Sequence, residues 1–368
     1  MDSLALWLLL AIFVVSAAVI WGAGILLSET TDVLDTRLHL GSAFGGLIVL
    51  AVATNLPEIA ITVSAALAGN VDIAVGNILG GIAIQTVVIA VIDLLGKRSS
   101  DARPITYRAA SLTLVLEALV VVAVLAVVVA GSQLPAGLVV ARMTPDVILI
   151  ALLWVAGLLL VQRAGHGLPW HEGGDAPDTT PHAQGHRTRH RRHDAHGKKA
   201  GPSTSKRDPH ARSTARTAVY FFVAAVATLA AGVTLEKSGE AAASQVGLTG
   251  VLFGATVLAL ATSLPEISTG LQAVRQGDDN LAISDIFGGN AFLPVLFLVA
   301  TVISGQSILP RAHASDIYLT AVAALLTLVY AVGLIFRPRR RVLGMGVDSL
   351  CVVALYVVGL GGLIAVAR

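Results

Sequence analysis

Residues 49–60 read VLAVATNLPEIA, a proline and a glutamate set side by side in an otherwise apolar run. Proline removes a backbone donor and clashes with the preceding turn, which breaks or kinks a helix at about 3 kcal/mol. A carboxylate at the centre of a bilayer costs about 2.5–3.5 kcal/mol on insertion scales. Two such costs at neighbouring positions imply a use for both. Residues 257–268 repeat the pattern as VLALATSLPEIS, 208 positions later. The same offset relates GNILGGIA (76–83) to SDIFGGNA (284–291). Two matched blocks at one spacing mark an internal duplication.

The 368-residue chain is 55% hydrophobic and 13% charged, against roughly 25% charged in a soluble domain. With its long apolar runs it reads as an all-α integral membrane protein. Spans are expected near 4–27, 38–68, 71–95, 106–130, 145–163, 217–235, 246–274, 280–303, 315–336 and 344–366. That is ten, five on each side of one polar stretch. The second and seventh carry the Leu-Pro-Glu interruptions and are each expected to be two half-helices. The run 4–27 lacks a basic flank and exceeds a signal-peptide core, so it reads as a retained first span. The stretch 165–216 holds most of the histidines and many arginines and lysines, without apolar period. It is expected to be a disordered linker between units at 1–164 and 217–368. Its HRTRHRRHDAH run (186–196) matches no closed metal site. The single cysteine, Cys351, excludes an intrachain disulfide and, inside an apolar run, is expected to be buried.

Lysine and arginine counts set the orientation. The linker, GKRSSDAR (96–103) and FRPRRR (336–341) are basic and fall on one side of a ten-span layout. AGNVD (68–72) and the acidic EKSGE (236–240) fall on the other. Both termini are therefore expected outside a plasma membrane and the linker in the cytoplasm. Five spans is an odd number, so the two halves insert with opposite orientation and form an inverted repeat. Such repeats place their substrate near the midplane, where interrupted helices meet. Non-helical backbone at that depth is tolerated where it lines a cavity. Prolines that free carbonyls and glutamates that supply negative charge suit a cation.

ATNLPE and ATSLPE, each followed one helix later by a Gly-Gly segment, resemble the two α-repeats of the sodium/calcium exchanger family, within the cation/calcium antiporter superfamily. The chain looks like a divergent, prokaryotic-type member. The resemblance implies a secondary antiporter that exchanges Ca²⁺, or a related cation, for Na⁺ by alternating access. Coupling to H⁺ on the same fold is the first alternative, and a passive cation channel the second. No G-x-x-x-x-G-K-[ST] run supports ATP-driven pumping, and no nucleophile–base arrangement marks an enzyme. Cations and the lipid bilayer are the expected partners; no cofactor and no nucleic acid are expected.

Glu58 and Glu266 are the leading cation ligands, since Ca²⁺ and Na⁺ prefer oxygen. Thr54 and Thr262 precede the two breaks. Ser263 matches the family's serine, whereas Asn55 replaces it in the first copy. In the family the third and eighth helices carry a Gly-Ser-Asn segment, with Asn or Asp four residues after the serine. Here Gly81 and Gly289 replace the serines, Gln85 is a plausible amide ligand, and Leu293 cannot ligate. The spacing of 285, 289 and 293 puts Asp285 on the face that has lost an acid, with Asn77 at the matching position of the third helix. Asp285 and Asn77 are therefore candidates for a shifted site, against a surface-polar role for Asp285. Glu117, deep in SLTLVLEALVVV, is a candidate proton or coupling site, with a carboxylate that pairs with a neighbouring helix as the equal alternative. The glycines of GSAFGG, GNILGG and DIFGG are expected to serve close helix packing.

Overall fold

The computed structural model describes residues 4–38, 51–69, 71–96, 103–109, 111–139, 142–165, 167, 214–247 and 253–366. The described residues are all-α apart from one small hairpin. The helices are α1 (Leu6–Leu38), α2 (Leu56–Ala68), α3 (Val71–Leu95), α4 (Leu112–Gly131), α5 (Pro145–Gly165), α6 (Thr214–Gln245), α7 (Leu264–Gln276), α8 (Asp279–Phe292), α9 (Ala314–Phe336) and α10 (Val347–Val366). A 3₁₀ turn at Leu293–Val295, where Pro294 removes a donor, joins α8 to a further helix at Leu296–Ser304. Eight helices among the described residues are long and apolar enough to cross a membrane. The 165–216 linker and GSAFGG (41–46) fall almost wholly outside the described residues.

Helices α2 and α7 have 13 residues each, about 20 Å of rise, and cannot span alone. Each begins at a single residue out of helical register: Asn55 at φ −87°, ψ 16°, and Ser263 at φ −82°, ψ 7°. Pro57 and Pro265 occupy the first turn, where a missing N–H costs least. Each helix is closed by a glycine in the left-handed region, Gly69 at φ 77° and Gly277 at φ 92°. Before the second break the chain winds as a π-helix at Gly254–Leu258 and an α-turn at Ala259–Thr262.

The duplication reaches further than its motifs. Leu9, Ser16, Ile20, Ala23, Leu27 and Thr30 of α1 are buried; 208 residues on, Thr217, Ala224, Thr228, Ala231, Leu235 and Ser238 of α6 are buried too. These two helices pack along each other, and each reaches the broken helix of the other half: α1 meets α7, and α6 meets α2. A Cβ on Gly24 would lie 3.0 Å from Pro265, and one on Gly232 would lie 3.1 Å from Pro57. Helix α3 is central, with 83% of its span buried, against 22–28% for α1, α5, α6 and α10.

Contacts sort the loops to two ends. At the basic end, Arg108 of a one-turn helix (Ile105–Arg108) grips Asp279 through Nε–Oδ2 at 3.0 Å and Nη2–Oδ1 at 2.9 Å. There Asp93 Oδ1 accepts from the Ile105 N–H at 2.8 Å and Oδ2 from the Gly346 N–H at 2.6 Å. Arg337 donates to the Tyr107 carbonyl at 3.0 Å. At the other end Gly131 abuts Asp146 and Leu309, and Gly305 lies against Arg142.

Several expectations are corrected. EKSGE is not a loop but the continuation of α6, and α1 runs eleven residues past the expected 27 because its polar end is still helical. The expected fourth span divides into the Ile105–Arg108 turn and α4. Cys351 is exposed, not buried, because α10 is peripheral and turns an apolar face outward. The glycines of GNILGG and DIFGG divide: a Cβ at Gly76 would meet nothing within 4 Å and Gly81 and Gly288 would make ordinary contacts at 3.8 Å, whereas one at Gly289 would lie 2.8 Å from Asn55. Gly24 and Gly232, outside those motifs, are closely approached too.

Gly24→Val and Gly232→Val should each lower stability by about 1–3 kcal/mol through overpacking against proline, while Gly76→Ala should be neutral or stabilising. Thermal unfolding in detergent checks all three; equal midpoints would show that the glycine–proline contacts are not tight.

Candidate cation site

Each break delivers a Thr, a polar residue and a Glu to the protein centre. Thr54, Asn55 and Glu58 are 0% exposed, Thr262 and Ser263 0%, and Glu266 1%. Proline makes this local arrangement inevitable: Pro57 and Pro265 carry no N–H, so the carbonyls four residues earlier, at Ala53 and Ala261, lose their helical donors. A glutamate in the first turn of the helix that follows is held near exposed N–H groups, where negative charge is favoured.

Gln85 of α3 joins the two halves. Its Nε2 donates to Asn55 Oδ1 at 3.1 Å, Glu266 Oε1 at 3.3 Å and Glu58 Oε1 at 3.5 Å. The hydroxyls of Thr54 and Thr262 donate to carbonyls of their own helical turns, Ala51 and Ala259, both at 3.2 Å. Thr262 lies beside Glu58 and Thr54 beside Asp285, so each break threonine sits against a carboxylate of the opposite half. Asp285 is 1% exposed and its Oδ2 accepts from Thr269 Oγ1 at 2.7 Å. Glu266 lies within the fields of both Glu58 and Asp285. One oxygen on each of these groups accepts nothing: Glu58 Oε2, Glu266 Oε2, Asp285 Oδ1 and Gln85 Oε1 are all buried and unpaired. Buried acceptors without donors are costly, and a hard cation is the partner that satisfies several oxygens at once. Among the described residues no three Asp, Glu, His or Cys side chains converge closely enough to hold a metal unaided. A cation there would need amide and hydroxyl oxygens as well as carboxylates.

Other candidates take other places. Ser263 Oγ donates back to the Ala259 carbonyl at 2.7 Å, inside its own helix. Asn77 is buried, and neither atom of its amide makes a hydrogen bond. Glu117, 8% exposed, accepts from Ser284 Oγ at 2.9 Å, on the residue before Asp285, and its Oε2 is unpaired. Leu293 is fully buried, and its Cδ1 would lie 3.8 Å from a Cβ on Gly81. The space beside Gly289 is occupied: a Cβ there would sit 2.8 Å from Asn55 Nδ2. The two departures from the family pattern thus compensate each other, the longer Asn55 filling room that a missing serine leaves. Thr269 and the buried pair Asn290–Thr86, bonded at 3.0 Å, went unread in the sequence. The signal was present, a hydroxyl or amide inside an apolar span, but nothing in one dimension distinguishes these from threonines bonded to their own helix.

Gly289→Ser should clash with Asn55 and cost about 1–3 kcal/mol; Asn55→Ser combined with Gly289→Ser should recover most of that loss. A double-mutant cycle on thermal unfolding measures it, and simple additivity of the two changes would contradict the compensation.

The sodium/calcium exchanger protein family matches residues 8–162 and 217–365 of the chain. The inner membrane protein YrbG of Escherichia coli (strain K12) is 24% identical over 287 residues, 78% of this chain and 76% of YrbG. The candidate antiporter CaxA of Alkalimonas amylolytica is 31% identical over 127 residues, 34% of this chain and 40% of CaxA, so the match spans less than half of that protein. Among solved structures, the sodium-calcium exchanger NCX_Mj is similar with a TM-score of 0.59 at 14% identity, over 97% of this chain and 99% of that one. The H⁺/Ca²⁺ exchanger CAX is similar with a TM-score of 0.66 at 13% identity, over 97% and 82%. At such identities the structural likeness is one of fold. The family match covers both halves and includes both proline-broken segments: the chain belongs to the sodium/calcium exchanger family.

Proposed function

We propose that the protein is a secondary antiporter that exchanges Ca²⁺, or a related cation, for Na⁺ across the plasma membrane by alternating access. One observation carries this reading: buried, unpaired oxygens from both halves, Glu58 Oε2, Gln85 Oε1, Glu266 Oε2 and Asp285 Oδ1, belong to one hydrogen-bonded cluster at two broken helices. Glu58 and Glu266 are the central ligands. Gln85, Asp285, Asn55, Thr54 and Thr262 complete the polar shell, and Ser263 and Asn77 lie at its margin. Asp285 restores the acid that Leu293 removes, one or two turns along α8. The scaffold is a pair of inverted five-helix repeats making ten crossings, in which α2 and α7 with the helical residues before them form the second and seventh. The shared burial register of α1 and α6 and the reciprocal glycine–proline contacts support that symmetry. The basic end faces the cytoplasm, together with the linker, and both termini face outward.

A second reading keeps the site and takes H⁺ as the coupling ion. Glu117 favours it: a buried carboxylate outside the cluster, bonded to the residue beside Asp285 and with one bare oxygen. Uptake of ⁴⁵Ca²⁺ into proteoliposomes, with outward Na⁺ and H⁺ gradients imposed separately, decides between them. Uptake without any opposing gradient would identify a passive channel and overturn both. Glu58→Gln and Glu266→Gln should each reduce uptake to background with insertion and thermal stability retained, because Gln keeps the shape and removes the charge. Normal transport by both variants would place the site elsewhere. Deleting residues 170–212 should preserve basal uptake, since the linker lies outside both repeat units.

A further inference from the structure

The connection between α9 and α10 carries features that cation exchange does not require. It reads FRPRRRVLGMG (336–346). Arg341 pairs with Gly346 and Val342 with Met345, leaving Leu343-Gly344 as a two-residue hairpin turn. Both turn residues have positive φ, 53° and 87°, as in a type I′ turn, whose positions are ordinarily filled by Asn, Asp or Gly. A leucine is strained in that region, where its Cβ crowds the following carbonyl. Packing does not compensate, because Leu343 is 79% exposed. Nor does the hydrocarbon around the spans account for it, since the hairpin lies beyond Phe336, the last residue of α9. Phe336 is equally exposed at 79%.

Basic groups surround this apolar tip. Arg339 and Arg340 are exposed. The guanidinium carbons of Arg103, Arg337 and Arg339 lie 4.7, 5.4 and 5.7 Å from the centroid of the Tyr107 ring. Arg339, through a hydrogen bond to the hydroxyl, and then Arg103 hold the Tyr107 phenol below its ordinary range. Three guanidinium groups around one ring concentrate positive charge at this surface, which draws anions to it. Guanidinium matches phosphate geometry through paired N–H donors. An apolar tip flanked by arginines is the composition of an element that sits at the headgroup boundary of a membrane.

We propose that the hairpin Arg341–Gly346 inserts Leu343 at the bilayer interface and that Arg339, Arg340 and the Tyr107 arginines bind the headgroup of an anionic phospholipid. Occupancy there bears directly on α3: Gly346 N–H and Arg341 both hold Asp93, the latter through the Asp93 carbonyl at 2.7 Å. Asp93 lies eight residues, about 12 Å of helix rise, from Gln85. The lipid would therefore steady the helix that carries the bridging amide. The inference is independent of which ions are exchanged.

Thermal unfolding of the full chain in phosphatidylcholine nanodiscs, with and without phosphatidylglycerol, tests it. The wild-type midpoint should rise when phosphatidylglycerol is present. Leu343→Asn creates an Asn-Gly turn free of strain, so it should raise the midpoint in detergent and in phosphatidylcholine yet shrink the phosphatidylglycerol increment. Arg339→Gln and Arg340→Gln should each weaken apparent phosphatidylglycerol affinity roughly fivefold without raising the baseline. Three results would overturn the proposal. One is a full phosphatidylglycerol increment in Leu343→Asn. Another is a smaller oligomer for that variant with the increment unchanged, which would make the leucine a contact between copies. The third is a midpoint rise with inorganic phosphate in detergent equal to that with the lipid, which would make the ligand free phosphate.

Discussion

Everything at the centre of this protein depends on two prolines being held from behind. Pro57 and Pro265 break their helices and leave carbonyls without donors, and a break of that kind inside a membrane survives only where other protein covers it. The cover comes from the opposite half. Gly232 of α6 lies against Pro57, and Gly24 of α1 lies against Pro265, each so close that a single methyl group would crowd the ring. The two halves therefore stabilise each other's defect, and neither half could present its glutamate at the same depth alone. The long, weakly buried α1 and α6 are in this sense the backing plates of a site to which they contribute no carboxylate.

Within that frame the cluster is not symmetric. The first half supplies two amides, Asn55 and Gln85, where the second supplies Ser263 and Leu293. Gln85 does the bridging: one nitrogen faces three acceptors, two of them the glutamates of the two repeats. Because every neighbour of that nitrogen is an acceptor, the amide has only one sensible orientation, which leaves its oxygen available. The second half answers with Asp285, reached through Thr54 and Thr269. On the proposed reading, Asp285 supplies the acid that Leu293 lacks, two turns earlier in the chain.

The two ends of the bundle are unlike as well. At the basic end the Arg108–Asp279 pair and Asp93 tie α3, α8, the Ile105–Arg108 turn and the hairpin into one block. A buried bidentate pair of this kind adds little net stability over an apolar contact but is costly to break singly, so it fixes geometry. The positions 208 residues beyond Asp93 and Arg108 are Thr301 and Asp316, so the second half does not repeat the residue types of this block.

The sequence by itself determined the membrane class, the duplication, the two breaks and the residues Glu58 and Glu266. These follow from composition and from local chemistry: an apolar run, a missing N–H and a repeated offset are all one-dimensional facts. It also brought Gln85 into view, through the resemblance to the family's third helix, and Asp285, through four-residue spacing on a helix. Tertiary structure alone decided the rest. That α1 and α6 repeat each other is invisible in their residues, since small and aliphatic side chains interchange freely at buried positions, and only the common burial register reveals it. That Asn55 and Gly289 compensate is a contact across 234 positions, which no periodicity reports. Helix ends in polar sequence, at EKSGE and after residue 27, were misplaced because hydropathy marks where lipid stops and not where hydrogen bonds do. Cys351 was misjudged for a related reason: in a membrane protein apolar character marks both the core and the lipid face, and only packing separates the two.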